Sequence, residues 1–267
     1  MKLILLLTLF TLLNNLYARV KKPLYAFGLG GFYSVLPDYP GASDFQARTL
    51  VVPFVRYRGE TFRSDDEGTR AIFGKDSKLK LELSFGGSFP ASSEGNKTRE
   101  GMDDLDWTFE VGPRLVYEFY KNEDGRVRVQ LPLRVASVTD FSYWRFQGFR
   151  YGPEFQYEKI FSYNFEFNYW VSFNYLNEGL SDYFFEVPAK DARDNRREYN
   201  AKGGFLGYDH AISFMIRHKD LRIFLGAVYS DYREAMVRNS PLFKNAENTI
   251  TFIGFSYIFS KSDRLED

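Results

Sequence analysis

The sequence contains no cysteine. That absence removes disulfides, thiol nucleophiles, cysteine-ligated zinc and the N-terminal cysteine of a lipoprotein. It also suits a compartment in which stray thiols would be oxidised. Histidine is scarce, with His210 and His218 the two present. Neither sign of charge is in excess: Lys plus Arg and Asp plus Glu each number 35. With no basic block, there is no electrostatic case for nucleic-acid binding. Long apolar runs are missing as well. Beyond Ala18 no stretch approaches the roughly 20 consecutive apolar residues of a membrane-spanning helix.

Aromatic residues, by contrast, are plentiful. The 28 Phe and 19 Tyr bring the aromatic share to 19% of 267 residues, a bias that suits strands and membrane-interface girdles. The length suits one domain. Residues 1–18 have the layout of a cleaved signal peptide: Lys2, an apolar stretch from Leu3 to Leu13, and the small residue Ala18 after Leu16-Tyr17. The apolar stretch is too short to cross a bilayer and runs into Asn14 and Asn15. The mature domain is then expected over 19–267.

A period of two runs through that domain. From Asp106 to Tyr120, Trp107, Phe109, Val111, Pro113, Leu115, Tyr117 and Phe119 share one parity, opposed by Asp106, Thr108, Glu110, Gly112, Arg114 and Glu118. Successive side chains of a strand point to opposite faces, so this segment has one apolar and one charged face. After the turn Lys121-Asn122-Glu123-Asp124-Gly125, Val127, Val129, Leu131, Leu133 and Val135 repeat the pattern against Arg126, Arg128, Gln130 and Arg134. Leu79–Phe85, Phe149–Tyr157 and Phe165–Tyr175 follow it too, and Tyr25–Tyr33, Leu50–Tyr57, Thr69–Gly74, Leu206–Arg217, Leu221–Tyr232 and Thr249–Phe259 follow it less regularly.

A soluble sandwich also alternates, but its strands are usually about five or six residues long. The longer runs here match the roughly 9–11 residues of a tilted membrane-spanning strand. Such a sheet must close, because unpaired backbone groups in lipid cost several kcal/mol each. The expected fold is therefore all-β, a closed antiparallel transmembrane barrel in the outer membrane of a Gram-negative cell, surrounded by outer-membrane lipid.

The segments named above make eleven candidates, whereas single-chain bacterial barrels use even numbers. Either Ser181–Val187 supplies a twelfth strand or Thr69–Gly74 merges with a neighbour to leave ten; twelve is the expectation. The long stretches Pro37–Gln46 and Phe89–Leu105 are separated by two short connections, which breaks the alternation of long and short loops and points to a misplaced boundary between them. Near the C-terminus, Gly254-x-x-Tyr257-x-Phe259 is similar to the assembly signal of bacterial barrels, although Phe252 and the extension Ser260–Asp267 depart from it.

Six segments in order resemble the MipA/OmpV family. Leu36-Pro37-Asp38-Tyr39-Pro40-Gly41-Ala42-Ser43-Asp44 resembles its P-[DE]-Y-x-G-S-[DE] segment, with Ala42 where the family usually places Ser. Val52–Gly59 resembles P-x-x-x-Y-R-G, and Gly101–Asp106 with Gly112-Pro113 resembles G-L-x-D-[IV]-D…G-P. Tyr183-Phe184, Tyr199–Gly204 and Asn239-Ser240-Pro241-Leu242 complete the series. The resemblance covers essentially the whole mature chain. It implies an outer-membrane protein tied to peptidoglycan remodelling, a scaffold bridging lytic transglycosylases and peptidoglycan synthases.

The residues themselves give little support to catalysis. Barrel hydrolases place a Ser and a His two apart on one strand face. Ser213 lies three residues from His210, and Asp209 is adjacent to it, so both fall on the opposite face. No cofactor, metal or enzymatic role is expected. Pro37, Asp38, Tyr39, Gly41 and Asp44 read first as turn formers, and Asp103, Asp104 and Asp106 as a solvated strand entry too small to hold calcium alone. The inward parity carries both signs: Lys78, Lys80, Glu82, Glu110, Arg114, Glu118, Arg126, Arg128, Arg134, Arg150, Glu154, Glu158 and Glu166. Opposite charges on neighbouring strands would pair and fill a narrow barrel, whereas a selective pore more often carries one dominant sign. A small diffusion pore and a surface adhesin are the competing expectations.

Overall fold

The computed structural model describes residues 22–65, 68–71, 78–162 and 164–265. The leader expected at 1–18 lies outside the described residues. Twelve strands follow one another: β1 Tyr25–Pro37, β2 Phe45–Arg58, β3 Phe62–Asp65, β4 Gly68–Ala71, β5 Leu79–Ser88, β6 Trp107–Asn122, β7 Gly125–Thr139, β8 in the two segments Arg145–Tyr151 and Glu154–Ser162, β9 Phe165–Leu176, β10 Gly204–His218, β11 Leu221–Asp231 and β12 Glu247–Lys261. A helix, α1 (Glu178–Phe185), and a short 3-10 turn (Ala189–Asp191) lie between β9 and β10.

The two segments of β8 are one strand. Tyr151 faces Leu133 and Glu154 faces Gln130 on β7, so the register is the same on both sides of the interruption. The interruption is chemical. Pro153 has no N–H to give the ladder, and Gly152 sits at φ +144°, where an added Cβ would lie 1.8 Å from the Phe173 carbonyl oxygen. Each strand pairs antiparallel with the next, and β12 pairs with β1 to close the sheet.

The count of twelve is reached differently from the sequence expectation. Ser181–Val187 is not a strand, because most of it belongs to α1. Asn177 caps that helix, its side chain accepting from the Leu180 N–H at 3.3 Å. Leu180, Ser181, Phe184 and Phe185 are buried, a helical spacing hidden by three consecutive aromatics that favour strands. The twelfth strand is β3, four residues with too few alternations to register as a pattern. Of Thr69–Gly74, Thr69–Ala71 belongs to β4, and the remainder lies outside the described residues.

Recovering β3 also corrects the loop alternation. Connections 38–44, 89–106, 140–144, 177–203 and 232–246 now gather at one end, and 59–61, 123–124 and 219–220 at the other. The outer wall is apolar: Phe109, Val111, Leu115, Tyr117 and Phe119 of β6 are exposed, while Thr108, Glu110 and Val116 between them are buried. A water-soluble protein would not leave so continuous an apolar surface uncovered. A barrel in lipid requires it. Aromatic pairs mark both margins, with Tyr25 stacked on Tyr57 at 5.1 Å near the short turns and Phe109 beside Trp144 at 5.4 Å near the long loops.

Candidate functional site: a capped mouth and a charged interior

The buried apolar cluster is not inside the barrel wall but across its long-loop end. Tyr39 and Ala42 from the first loop meet Met102 and Leu105 from the 89–106 loop, Leu180, Phe184 and Phe185 from α1, and Val237 and Leu242 from the last loop. Polar contacts fasten these segments. Tyr39 donates its hydroxyl to the Leu242 carbonyl at 2.8 Å, and its ring meets Phe185 edge-on at 6.1 Å. Ser240 donates to the Phe185 carbonyl at 2.7 Å. Arg99 lies over the Tyr39 ring at 5.6 Å and donates to the carbonyls of Phe184 and Asp103. Arg196 donates to the carbonyls of Thr98 and Glu100.

Asp38 does more than form a turn. Its buried carboxylate accepts from Asn96 at 2.8 Å and Gln46 at 2.7 Å, with Arg48 3.7 Å away. Burial raises its pKa above the ordinary value, against the lowering effect of Asn96 and Arg48. Burial likewise pushes the Tyr183 phenol up to about 12; its oxygen accepts from the Asp106 N–H at 2.6 Å. Gly41, at φ +76°, uses its carbonyl to accept from both Lys244 and Asn245 N–H groups. Asp44 has a local contact, accepting from Ser43 Oγ at 3.2 Å, and Pro37 ends β1. Five of the six family-like segments thus meet in this cap, while Val52–Gly59 ends β2 at the opposite margin. Sequence reasoning missed Asn96, Arg99 and Arg196, because their partners lie on other loops and no periodicity links them; it placed Ser240 in a family-like turn without its partner Phe185.

Below the cap, charged side chains pair across strands. Lys80 meets Glu118 at 3.2 Å, Arg126 meets Glu158 at 2.7 Å, Arg134 meets Glu154 at 2.8 Å, Arg150 meets Glu110 at 2.9 Å, and Glu166 meets Arg217 at 3.0 Å. Glu82 serves two cations, Arg114 at 2.6 Å and Arg128 at 3.9 Å. Lys78 stands apart from this network, exposed just before β5. Two chambers remain in the interior, of about 540 and 570 Å³, and they share no lining residue. The chamber beneath the cap has Phe32, Ile250 and Phe252 on one wall and Glu110, Arg134 and Arg150 on the other. The second chamber, toward the short turns, is rich in arginine, including Arg126, Arg217 and Arg222. Glu82 and Gln130 line neither chamber. Gln130 and Arg128 both donate to Gln156, and Gln156 donates to Asn168, forming a polar bridge across β7, β8 and β9.

The remaining sequence candidates are placed as follows. His210 shares a hydrogen bond of 2.7 Å between its Nδ1 and the Tyr169 hydroxyl. Asp104 accepts from the Ser93 N–H at 2.6 Å, which holds its pKa below the ordinary value. Asp103 meets Lys190, and Asp106 accepts from the Tyr143 hydroxyl.

One carboxyl in the cap is placed unfavourably. Asp182 has Glu178 on α1 and Glu186 just past its end as neighbours, and its Oδ1 is buried without a hydrogen-bond partner. Burial, then Glu186 and Glu178, raise its pKa from 3.8 to about 6. A carboxyl raised in this way binds more protons folded than unfolded between those two values, so stability falls as pH rises through that window. Asp182→Asn is therefore expected to stabilise the protein at pH about 7.5 and to be neutral below pH about 4. Urea midpoints of both proteins at the two pH values test this; equal gaps at both would contradict it.

Comparison with known proteins fits this architecture. An outer-membrane channel from Pseudomonas putida F1 superposes with a TM-score of 0.51 at 10% identity, covering 91% of this chain and 98% of that one. The NanC porin gives a TM-score of 0.41 at 9% identity, covering 87% and 98%. At 10% identity, the first of these shows the fold and nothing finer. A search of curated proteins returns no significant match. The long loops of such barrels face outward and the short turns face the periplasm, so the buried loop cluster lies across the outer mouth. The family model described as MltA-interacting protein MipA matches residues 28–259, and the chain belongs to that family of outer-membrane barrels.

Proposed function

We propose that this barrel is a closed, non-enzymatic scaffold linked to peptidoglycan remodelling. The observation that carries the reading is the outer mouth, where four loops bury one apolar core against one another. The interior supports it in a second way. Its charges pair with one another, and the two chambers have no lining residue in common. A structure organised to fill its own lumen suits a platform better than a conduit. The family description, an MltA-interacting protein, supports a partner among lytic transglycosylases, with peptidoglycan synthases as the second class. The short-turn end is the side from which such periplasmic enzymes would approach.

The test uses the full mature protein in detergent, immobilised and challenged with a purified lytic transglycosylase and a bifunctional peptidoglycan synthase. Specific retention of at least one enzyme is expected. Retention of neither, together with steady conductance in a planar bilayer, would overturn the scaffold in favour of a diffusion pore.

A further inference from the structure

Among the described residues, strand pairing in the barrel wall is interrupted between β2 and β5. β2 and β5 are 14 and 10 residues long, but β3 and β4, which stand between them, have 4 residues each. The β3–β4 hairpin meets β2 at Tyr57 and Arg58, and meets β5 from Leu81 to Leu83. Along Phe45 to Val55 of β2, and Ser84 to Ser88 of β5, no described strand pairs with the edge facing the hairpin. The opposite edges of the same segments are paired, to β1 and β6. A window results, bounded below by the hairpin. Above, Arg48 donates to the Pro90 carbonyl at 2.7 Å and lies 5.7 Å from the Phe89 ring.

The lower part of this window lies at the depth of the lipid tails. Val51 and Val55 on one side and Phe85 on the other point outward and are 55%, 50% and 62% exposed. Phe85 is level with Val111 and Val135, which continue the apolar outer band. Unpaired strand edges at such depth cost several kcal/mol per group unless they line a cavity that satisfies them. A cavity is present directly behind. Arg48 from one edge and Gly86 and Gly87 from the other line the chamber beneath the cap, and the two glycines place no side chain in the way. Val52 has inward parity yet is 43% exposed, as a residue beside an opening would be.

We infer that the window is a lateral portal through which a single-chain zwitterionic amphiphile of the lysophospholipid kind enters the chamber from the membrane. The chamber fits that chemistry on both walls. Phe32, Ile250 and Phe252 offer a surface for one apolar chain, and the facing Arg150–Glu110 and Arg134–Glu154 pairs present both signs of charge to a zwitterionic head. Its volume of about 540 Å³ lies within the range of small-molecule sites. Entry from the side needs no path through the cap or past Gln130, so the inference stands independently of the scaffold reading.

The full mature protein is reconstituted in vesicles of phosphatidylethanolamine and phosphatidylglycerol that contain lysophosphatidylethanolamine with a diazirine in its chain. After photolysis, adducts are mapped by peptide mass spectrometry. Adducts on the inward residues Phe32, Val52 and Phe252 are expected, besides those on the outer wall. Val52→Trp, which narrows the portal, and Ser172→Trp, which fills the chamber from β9, should each reduce the inner adducts several-fold while leaving those on Phe85 unchanged. Heat-modifiable gel migration verifies that each variant is folded, and at least one folded variant suffices. Adducts confined to outward residues, the result if a second copy or another protein covers the edge, would overturn the portal. Inner adducts that a folded tryptophan variant leaves undiminished would do so as well.

Discussion

Truncation of Phe184 to alanine is expected to lower stability by about 3–5 kcal/mol, the usual range for removing a buried aromatic. Phe184 is 1% exposed and packs against Tyr183 at 5.1 Å and Phe185 at 6.1 Å. Its side chain lines the ceiling of the chamber beneath the cap, so the lost volume opens downward into an existing cavity. The backbone around it is pinned: Arg99 holds the Phe184 carbonyl and Ser240 holds that of Phe185. Pinned neighbours cannot collapse into the space, which places the cost in the upper part of the range. Urea titration of the detergent-solubilised protein, read by gel migration, measures it. A loss below about 1 kcal/mol would mean that the cap is loosely packed. The same variant is expected to show bursts of conductance where the native barrel is silent, since Phe184 belongs to the seal.

The second large effect is expected in the interior. Glu82 has a side chain only 1% exposed, with Arg114 at 2.6 Å and Arg128 at 3.9 Å. Glu82→Leu removes the one carboxylate between two guanidinium groups. Breaking a buried pair from one side costs about 3–5 kcal/mol, because it leaves uncompensated charge in a poorly solvated place. Removing both partners costs less than removing one, since no orphaned charge remains. Glu82→Leu combined with Arg114→Leu should therefore be more stable than Glu82→Leu alone. Arg128 tolerates the double change because it also donates to Gln156 at 2.7 Å. A double variant less stable than the single one would contradict this account of the lumen.

Much of this architecture is visible in the residues. The outer wall is legible because lipid requires one parity of each strand to be apolar, and β6 and β7 carry that demand across 16 and 15 residues. The pairing of inward charges follows from the same parity. The local register was harder to read. Phe62–Asp65 has room for only two alternations, and Tyr183-Phe184-Phe185 offers three strand-favouring residues within a helical turn. The cap was illegible as a unit. Tyr39 and Leu242 are 203 residues apart, and Asp38 reaches Asn96 across 58. Such contacts join loops with no repeating pattern, so each motif reads locally as a turn. The window is a further case: it follows from a short hairpin between two long strands, and the missed β3 is half of that hairpin.

In the scaffold reading the barrel is closed by its own loops and charges, and single-channel recording of the mature protein in a planar bilayer checks this. The native protein should give no steady conductance at neutral pH, and Phe184→Ala should give intermittent openings against that silent background. A steady, ohmic conductance from the native barrel would contradict the claim.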